Sequence, residues 1–373
     1  MTLNTHSSVC FVGLENLPVL SRKYNQHGTG GEQVQHTLLA RALVKRGFKV
    51  SMIVADYGQA EGEVHDGIKL FKAHGLTDGI PVIRFIHPRL TKLWSALKRA
   101  DADVYYVSCS GPQLGIVALF AKQYRRRVVF RIAHDRDCDP NNLLIRFWRD
   151  KKIYEFGLRH AHVVLAQSEQ QLQSLQTNYD RTSRLAAMLV EPSERDIPFA
   201  QRDVDVLWVN NLRPFKRPQL VIDLAKKLPY LRFHVIGGPQ GGHESLYQDI
   251  QKQASTIPNL SFHGPVPYHD VNDFYARSRV FINTSESEGF PNSYLQAWRR
   301  GTPTVAFFDP DHVIERFGLG VNVSSLQEMA TEVDRLAMSS VAWAETSTHC
   351  QSFMDERYAD PVVLAPYLEA LRA

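Results

Sequence analysis

The 373-residue chain is longer than one typical core and suits two, because domains commonly run to roughly 100–200 residues. With 44% hydrophobic and 22% charged residues it has a globular composition, which excludes a largely disordered or low-complexity protein. The net charge of +4 conceals a division: residues 1–200 hold 27 Lys+Arg against 19 Asp+Glu, the remainder 16 against 20.

Neither a basic leader with a long apolar stretch nor an apolar run of roughly 18 residues is present, so a cytoplasmic location is expected. Cys10, Cys109, Cys138 and Cys350 lie far apart without C-x-x-C spacing, which predicts reduced thiols and no zinc site.

In chain order, short β-branched and aromatic runs alternate with helix-period segments, the pattern of βαβ units around parallel sheets. The first half predicts strands at Val9–Val12, Lys49–Val54, Ile68–Lys72, Val104–Val107, Val128–Ile132 and Val163–Ala166. Val34, Leu38, Leu39 and Leu43 fall at helical spacing over Glu32–Lys45, and Gly47 closes that helix. The loop entering it carries Gly28, Gly30 and Gly31, which let backbone amides approach a phosphate, without forming the G-x-G-x-x-G of a dinucleotide fold. His134 follows the Val128–Ile132 strand, where it can contact a sugar. Its neighbours Asp135, Asp137 and Asp139 lack calcium-loop spacing, so no metal is expected. Three basic stretches, Pro88–Ala100, Arg125–Arg127 and Arg146–Lys152, read either as solvated helix faces or as a surface for an anionic membrane or a phosphorylated substrate.

At Leu189–Asp203 two prolines and several acids interrupt the alternation, and the stretch reads as a linker. Beyond it the pattern restarts: strand Val204–Val209, helix Gln219–Lys227, strand Arg232–Ile236, helix Ser245–Ala254, strand Leu260–Phe262, helix His269–Ala276, strand Val280–Asn283, helix Asn292–Arg299 and strand Thr304–Phe307. Gln327–Ala373 reads as wholly helical. The expected organisation is a first domain over 1–195, a second over 203–355, and a last helix over 356–373 that crosses back to the first. Two such domains would place a cleft between the carboxyl ends of their sheets, which puts function in the loops that follow strands.

Two of those loops carry the chemistry. Arg213, Lys216 and Arg217 follow Val204–Val209, where cations can neutralise a diphosphate. The stretch "SESEGFPNSYLQAWRRGTPTV", Ser285–Val305, sets Glu288 after a strand, turns through Gly289, Phe290 and Pro291, and starts a helix that Asn292 or Ser293 is expected to cap. A carboxylate for sugar hydroxyls thus adjoins amides for a phosphate, and Gln296, one helical turn on, can reach a ribose. Trp298 reads as core and Glu286 as solvent-facing.

With these residues in view, the chain resembles the retaining glycosyltransferases of bacterial glycosyltransferase family 4. That resemblance implies the GT-B fold, which is α/β with two doubly wound Rossmann-like domains facing a central cleft. The motifs that carry it are "NNLRPFK" at Asn210–Lys216, Gly237-Gly238 after a strand, "GPVP" at Gly264–Pro267, and "SESEGFP" with "GTPTV" behind it. In the first half they are Gly30-Gly31 before a helix and His134 after a central strand.

The resemblance implies catalytic roles for His134, Glu288 and Lys216. It implies donor contacts from Gly30, Gly31, Asn211, Arg213, Gly264, Val266, Gly289, Phe290, Pro291, Asn292, Ser293 and Gln296, with the "GPVP" loop reading a nucleobase through its backbone. Two positions depart from the family pattern. Gln296 stands where a second glutamate is usual. Asn211 replaces a phosphate-binding arginine, whose part Arg213 is expected to take.

The implied reaction moves a hexose, with retention, from a nucleoside-diphosphate sugar to a glycan or lipid-linked hydroxyl in surface-polysaccharide synthesis. No metal or other cofactor and no nucleic acid is expected to take part, and the basic first domain is expected to meet an anionic membrane. Two alternatives stay open: an epimerase or hydrolase of nucleotide sugars, and, because of Asn211 and Gln296, a non-catalytic nucleotide-sugar-binding subunit. An NAD-dependent dehydrogenase ranks last for want of the glycine fingerprint.

Overall fold

The computed structural model describes residues 7–24, 30–80, 83–193, 196–239 and 241–372. The chain divides into two units, Met1–Leu189 with Asp360–Ala373, and Val190–Ala359.

The first unit is built on an eight-stranded sheet of β1 (Ser8–Val12), β2 (Lys49–Val54), β3 (Val64–His65), β4 (Ile68–Lys72), β5 (Val104–Ser108), β6 (Arg127–Arg131), β7 (Val163–Ala166) and β8 (Arg184–Leu185). Their spatial order is β3-β4-β2-β1-β5-β6-β7-β8, and only the β3–β4 pair is antiparallel. Helices cover both faces, so the central strands read as continuous apolar runs; every residue of β5 is buried. On one face Cys10, Val12, Tyr105, Val107, Val128 and Phe130 pack against the helices Pro112–Tyr124 and Trp148–His160. Those two helices meet at Gly115 and Gly157, where a Cβ on Gly115 would collide with the Ile153 carbonyl oxygen. Strand order reverses between β1 and β5, so the loops after these strands part and leave a crevice at the sheet's carboxyl edge.

The second unit holds a six-stranded, all-parallel sheet of β9 (Val204–Val209), β10 (Phe233–Ile236), β11 (Leu260–Gly264), β12 (Ser278–Asn283), β13 (Thr304–Ala306) and β14 (Gly320–Asn322), ordered β11-β10-β9-β12-β13-β14. Its reversal lies between β9 and β12. The core gathers Val206, Trp208, Phe233, Val235, Val280 and Ile282 against the helices Gln219–Lys227 and Leu326–Met338.

The elements read from sequence are present with ends shifted by at most two residues. The strands not foreseen, β3, β8 and β14, are two- or three-residue edge pieces, too short to show a period. The C-terminal stretch is broken into Leu326–Met338, Ser340–Arg357 and Asp360–Ala370. Ser339 interrupts it by turning its hydroxyl to the Ala342 amide as a cap. The first two of these helices belong to the second unit and the third to the first.

The division falls after Leu189, so the proline-rich stretch counts with the second unit; of it, residues 194 and 195 lie outside the described residues. Arg202 pins it there. That guanidinium, 1% exposed, donates to the carbonyls of Ile197, Ser278 and Arg300 and to the Thr302 hydroxyl, and stacks 4.5 Å over the Trp343 ring. All four thiols are free. Among the described residues no helix is long and apolar enough to cross a membrane.

Candidate functional site

The reversal between β9 and β12 brings together the two loops that the sequence singled out. The loop after β9 runs through Asn211 and Arg213 into the short turn Pro214–Lys216, and the loop after β12 runs through Thr284 and Glu288 to the helix Asn292–Trp298. They are sewn side by side: Glu286 N donates to Phe215 O at 2.9 Å, and the Thr284 hydroxyl donates to Lys216 O at 2.6 Å. Arg217 Nε reaches back to Thr284 O at 2.7 Å while its guanidinium lies 4.5 Å from the Phe307 ring. Glu286 points its side chain to solvent, as read from sequence.

At the centre Lys216 Nζ forms an ion pair with Glu288 Oε1, each side chain 12% exposed. The Ser285 hydroxyl donates to the same carboxylate oxygen at 2.7 Å. The pair satisfies both charges in a site where an uncompensated one would cost several kcal/mol, of the order of 3–5. Arg213, beside it in the chain, has no carboxylate partner among the described residues and lies 6.0 Å from the Phe215 ring. Asn211 is half-buried.

Glycines fix the neighbouring loops. A Cβ at Gly237 would strike the Asn210 carbonyl oxygen, so the end of β10 approaches the end of β9 as only glycine permits. Leu212 N donates to Gly238 O at 3.1 Å and Gly237 N to Gly264 O at 2.9 Å. Gly264 closes β11 at φ +66°, the left-handed region that favours glycine. Val266, two residues on, is half-buried just ahead of the helix Tyr268–Arg277.

The turn Gly289–Pro291 leads into the Asn292–Trp298 helix, with Gly289 and Pro291 buried and Phe290, Asn292 and Ser293 partly exposed. The cap is Pro291, without a side-chain bond, rather than Asn292 or Ser293, which are the first two helical residues. Proline has φ preset near the helical value and has no N–H to satisfy, so it precedes the helix without a hydroxyl or amide cap. Seven residues make a small macrodipole, so what this start offers is its local amides. Trp298 is core, its Nε1 donating to Thr304 Oγ1 at 2.9 Å. Gln296 Nε2 donates to Asn272 Oδ1 at 3.1 Å, and Asn272 Nδ2 to Glu191 Oε2 at 2.8 Å. Gln296 is thereby tied to the helix that follows the "GPVP" loop.

In the first unit, Gly30 precedes the helix Gly31–Lys45, and its N–H donates to Gln33 Oε1 at 2.9 Å. Gly28 lies outside the described residues. His134, just past β6, caps the turn Asp135–Cys138: Arg136 N donates to its Nδ1 at 3.1 Å, which leaves the ring proton to Nε2. Asp137 takes the Ser110 hydroxyl at 2.6 Å and the amides of Ala133 and His134, and burial raises its carboxyl above the ordinary range. Asp135 accepts from Gln171 and Asp139 from Asn141. Each acid therefore has its own structural partner and the three do not form a ligand set.

Thr284 and Asn272 were not singled out from sequence, and Ser285 was read only as the first residue of the "SESEGFP" motif. Their signal is the loop pairing itself, which a linear reading does not contain.

The fold and the sequence both have likenesses among known proteins. The structure superposes on a mutant form of S. aureus TarM in complex with fondaparinux, α-GlcNAc-glycerol and UDP, with TM-score 0.75 at 12% identity, over 98% of this chain and 100% of that one. It superposes on Anabaena HepE in complex with UDP and glucose with TM-score 0.73 at 17% identity, over 98% and 99%. The architecture is thus the two-unit GT-B fold of glycosyltransferases. In sequence, residues 30–188 match the glycosyl transferase 4-like domain and residues 190–322 the glycosyl transferases group 1 model. The O-antigen biosynthesis glycosyltransferase WbnH of Escherichia coli is 32% identical over 107 residues, 28% of this chain and 29% of that relative's length. The chain belongs to the bacterial glycosyltransferases of family 4.

Proposed function

We propose that this protein is a retaining hexosyltransferase that moves a sugar from a nucleoside diphosphate to a hydroxyl of a glycan or lipid-linked acceptor in surface-polysaccharide synthesis. The observation that carries the reading is the Lys216–Glu288 pair at the β9/β12 reversal, with Arg213 beside it. The UDP held by HepE and the O-antigen role in the name of WbnH support the donor class and the pathway.

The acceptor oxygen attacks the anomeric carbon on the face from which the diphosphate leaves. The bond from that carbon to the diphosphate oxygen breaks, and the acceptor proton passes to the departing diphosphate. Lys216 and Arg213 offset the charge that builds there, Arg213 standing in for the arginine replaced by Asn211. Glu288 holds sugar hydroxyls, and His134 orients the sugar through Nε2. The "GPVP" backbone at Gly264 and Val266 reads the base, Gln296 the ribose, and the Gly289–Ser293 amides the sugar and phosphate. The glycines at 30 and 31 let the first unit's backbone approach the donor. These protein cations leave no step that requires a metal. The reading places the protein in the cytoplasm, with its basic first unit against an anionic membrane.

Thermal-shift screening of UDP-, GDP-, ADP- and dTDP-sugars identifies the donor, and turnover is then measured with it. Glu288→Ala and Lys216→Ala are each expected to lower turnover at least about a hundredfold when assayed below the melting temperature of the variant, which falls because the partner's charge is left uncompensated, and Arg213→Ala at least about tenfold, as for lost transition-state charge stabilisation. Unaltered rates in the first two variants, or donor consumption that needs no acceptor, would sink the transferase reading.

A further inference from the structure

The basic stretches of the first unit are not alike once folded. Arg126 pairs with Asp101 and Asp103, Lys92 with Asp78, Arg99 with Glu61, and Lys152 with Glu155. Arg84 and Arg89 have no carboxylate partner among the described residues, and the Arg89 Nε is buried without a hydrogen bond. Both line one pocket of about 430 Å³, together with Arg149, Phe85, Phe147 and Trp148. Arg149 is shared, bonded to Asp150 at 2.8 Å and stacked 3.7 Å from the Phe85 ring centre.

The pocket sits at the carboxyl edge of the sheet. Leu14 follows β1, His74 follows β4, and Pro112 and Gln113 follow β5, so the β1/β5 reversal opens into it. Its deeper wall is apolar, with Leu93 and Ile116. Its mouth carries large apolar side chains turned to solvent: Trp148 is 77% exposed and Phe147 53%. Ile83 and Ile86, either side of Arg84 and Phe85 in the chain, are also exposed.

We propose that this pocket binds the diphosphate of a lipid-linked acceptor, with the lipid continuing over Phe147 and Trp148. Two unpaired guanidiniums and a third half-neutralised one match the charge of a diphosphate. A free anion has no use for the apolar wall or for an aromatic rim, whereas an amphiphile leaving a bilayer meets both. The volume admits a head group, not a macromolecular surface. The inference rests on the transferase reading, in which this pocket serves the acceptor while the β9/β12 loops serve the donor.

The test is calorimetric binding of geranylgeranyl diphosphate in detergent micelles, with UDP held at saturation so that the donor loops are occupied. The 373-residue protein is expected to bind it at least tenfold more tightly than inorganic diphosphate or geranylgeraniol. Arg84→Ala/Arg89→Ala is expected to weaken binding tenfold or more and Trp148→Ser severalfold, both with UDP affinity unchanged. Should the double variant fail to fold, Arg84→Gln carries the same expectation in smaller degree. Equal binding by the variants, displacement by UDP, or inorganic diphosphate binding as tightly as the lipid would overturn the proposal. If geranylgeranyl diphosphate binds as expected while no sugar donor supports transfer, the pocket stands and the transferase reading falls.

Discussion

His36 is a single residue whose burial has a measurable consequence. It is 1% exposed, its two ring nitrogens have no hydrogen-bond partner, and the Phe11 and Tyr106 rings stand 5.6 and 5.3 Å away. Burial, helped by the Arg131 charge, pushes its pKa from 6.5 down to about 3, and burial pushes neighbouring Glu32 from 4.5 up to about 7. Between pH 4.5 and 6.5 the unfolded chain carries one proton on His36, whereas the folded protein carries one on Glu32. The folded and unfolded states then bind equal numbers of protons, so the two slopes of stability against pH cancel. His36→Leu removes one of them. The Glu32 contribution, fully present below pH 4.5, should then be lost as pH rises through about 7, at up to about 1.4 kcal/mol per pH unit. The quarter of the Glu32 side chain still in solvent lessens this. Urea unfolding at pH 5 and pH 7 measures it, and parallel shifts in variant and parent would refute it. Nothing in the sequence marks His36 as special, because an isolated histidine on a helix acquires its environment only from the sheet beneath.

Pairs of elements carry a second kind of constraint. The helices Pro112–Tyr124 and Trp148–His160 approach so closely that a Cβ on Gly157 would lie 2.6 Å from the Gly115 amide nitrogen, and one on Gly115 would meet the Ile153 carbonyl. Both obstacles are backbone, so neither can rotate away. Gly115→Ala should therefore destabilise the first unit by about 1–3 kcal/mol, the usual cost of overpacking, despite alanine's better helix propensity. A denaturant midpoint equal to that of the parent would contradict this. The longer strands, the Glu32–Lys45 helix and most helices of the second unit were legible because alternation and 3.6-residue periodicity are local properties of the chain, whereas the first unit's helices Thr91–Ala100, Pro112–Tyr124, Trp148–His160 and Glu169–Tyr179 were not named from it. Edge strands such as β8 and β14 were not, since two or three residues show no period and their pairing depends on a neighbour. In the candidate site Lys216 and Glu288 could be named separately from their motifs. Their pairing, and the part of Ser285 and Thr284 in it, required the β9/β12 reversal.

For the molecule as a whole, the last helix, Asp360–Ala370, belongs to the first unit although 170 residues of the second precede it. Tyr367 anchors it: its hydroxyl donates to Ala187 O at 2.9 Å, and its ring lies 6.5 Å from Tyr106. Tyr367→Ala should remove about 3–5 kcal/mol of stability, and Tyr367→Phe about 1 kcal/mol. Hydrogen exchange should show the loss in the first unit and leave the second protected; equal loss in both would refute the assignment. The sequence by itself determined the α/β class, the restart after the proline-rich stretch and the motifs after β9 and β12, because each is written in residues adjacent along the chain. Tertiary structure alone decided that Arg202 ties the stretch before β9 to the second unit, that Arg126 has carboxylate partners while Arg84 and Arg89 have none among the described residues, and which loops meet. Charges and polar groups find partners by proximity in space, and parallel sheets build that proximity from strands far apart in sequence.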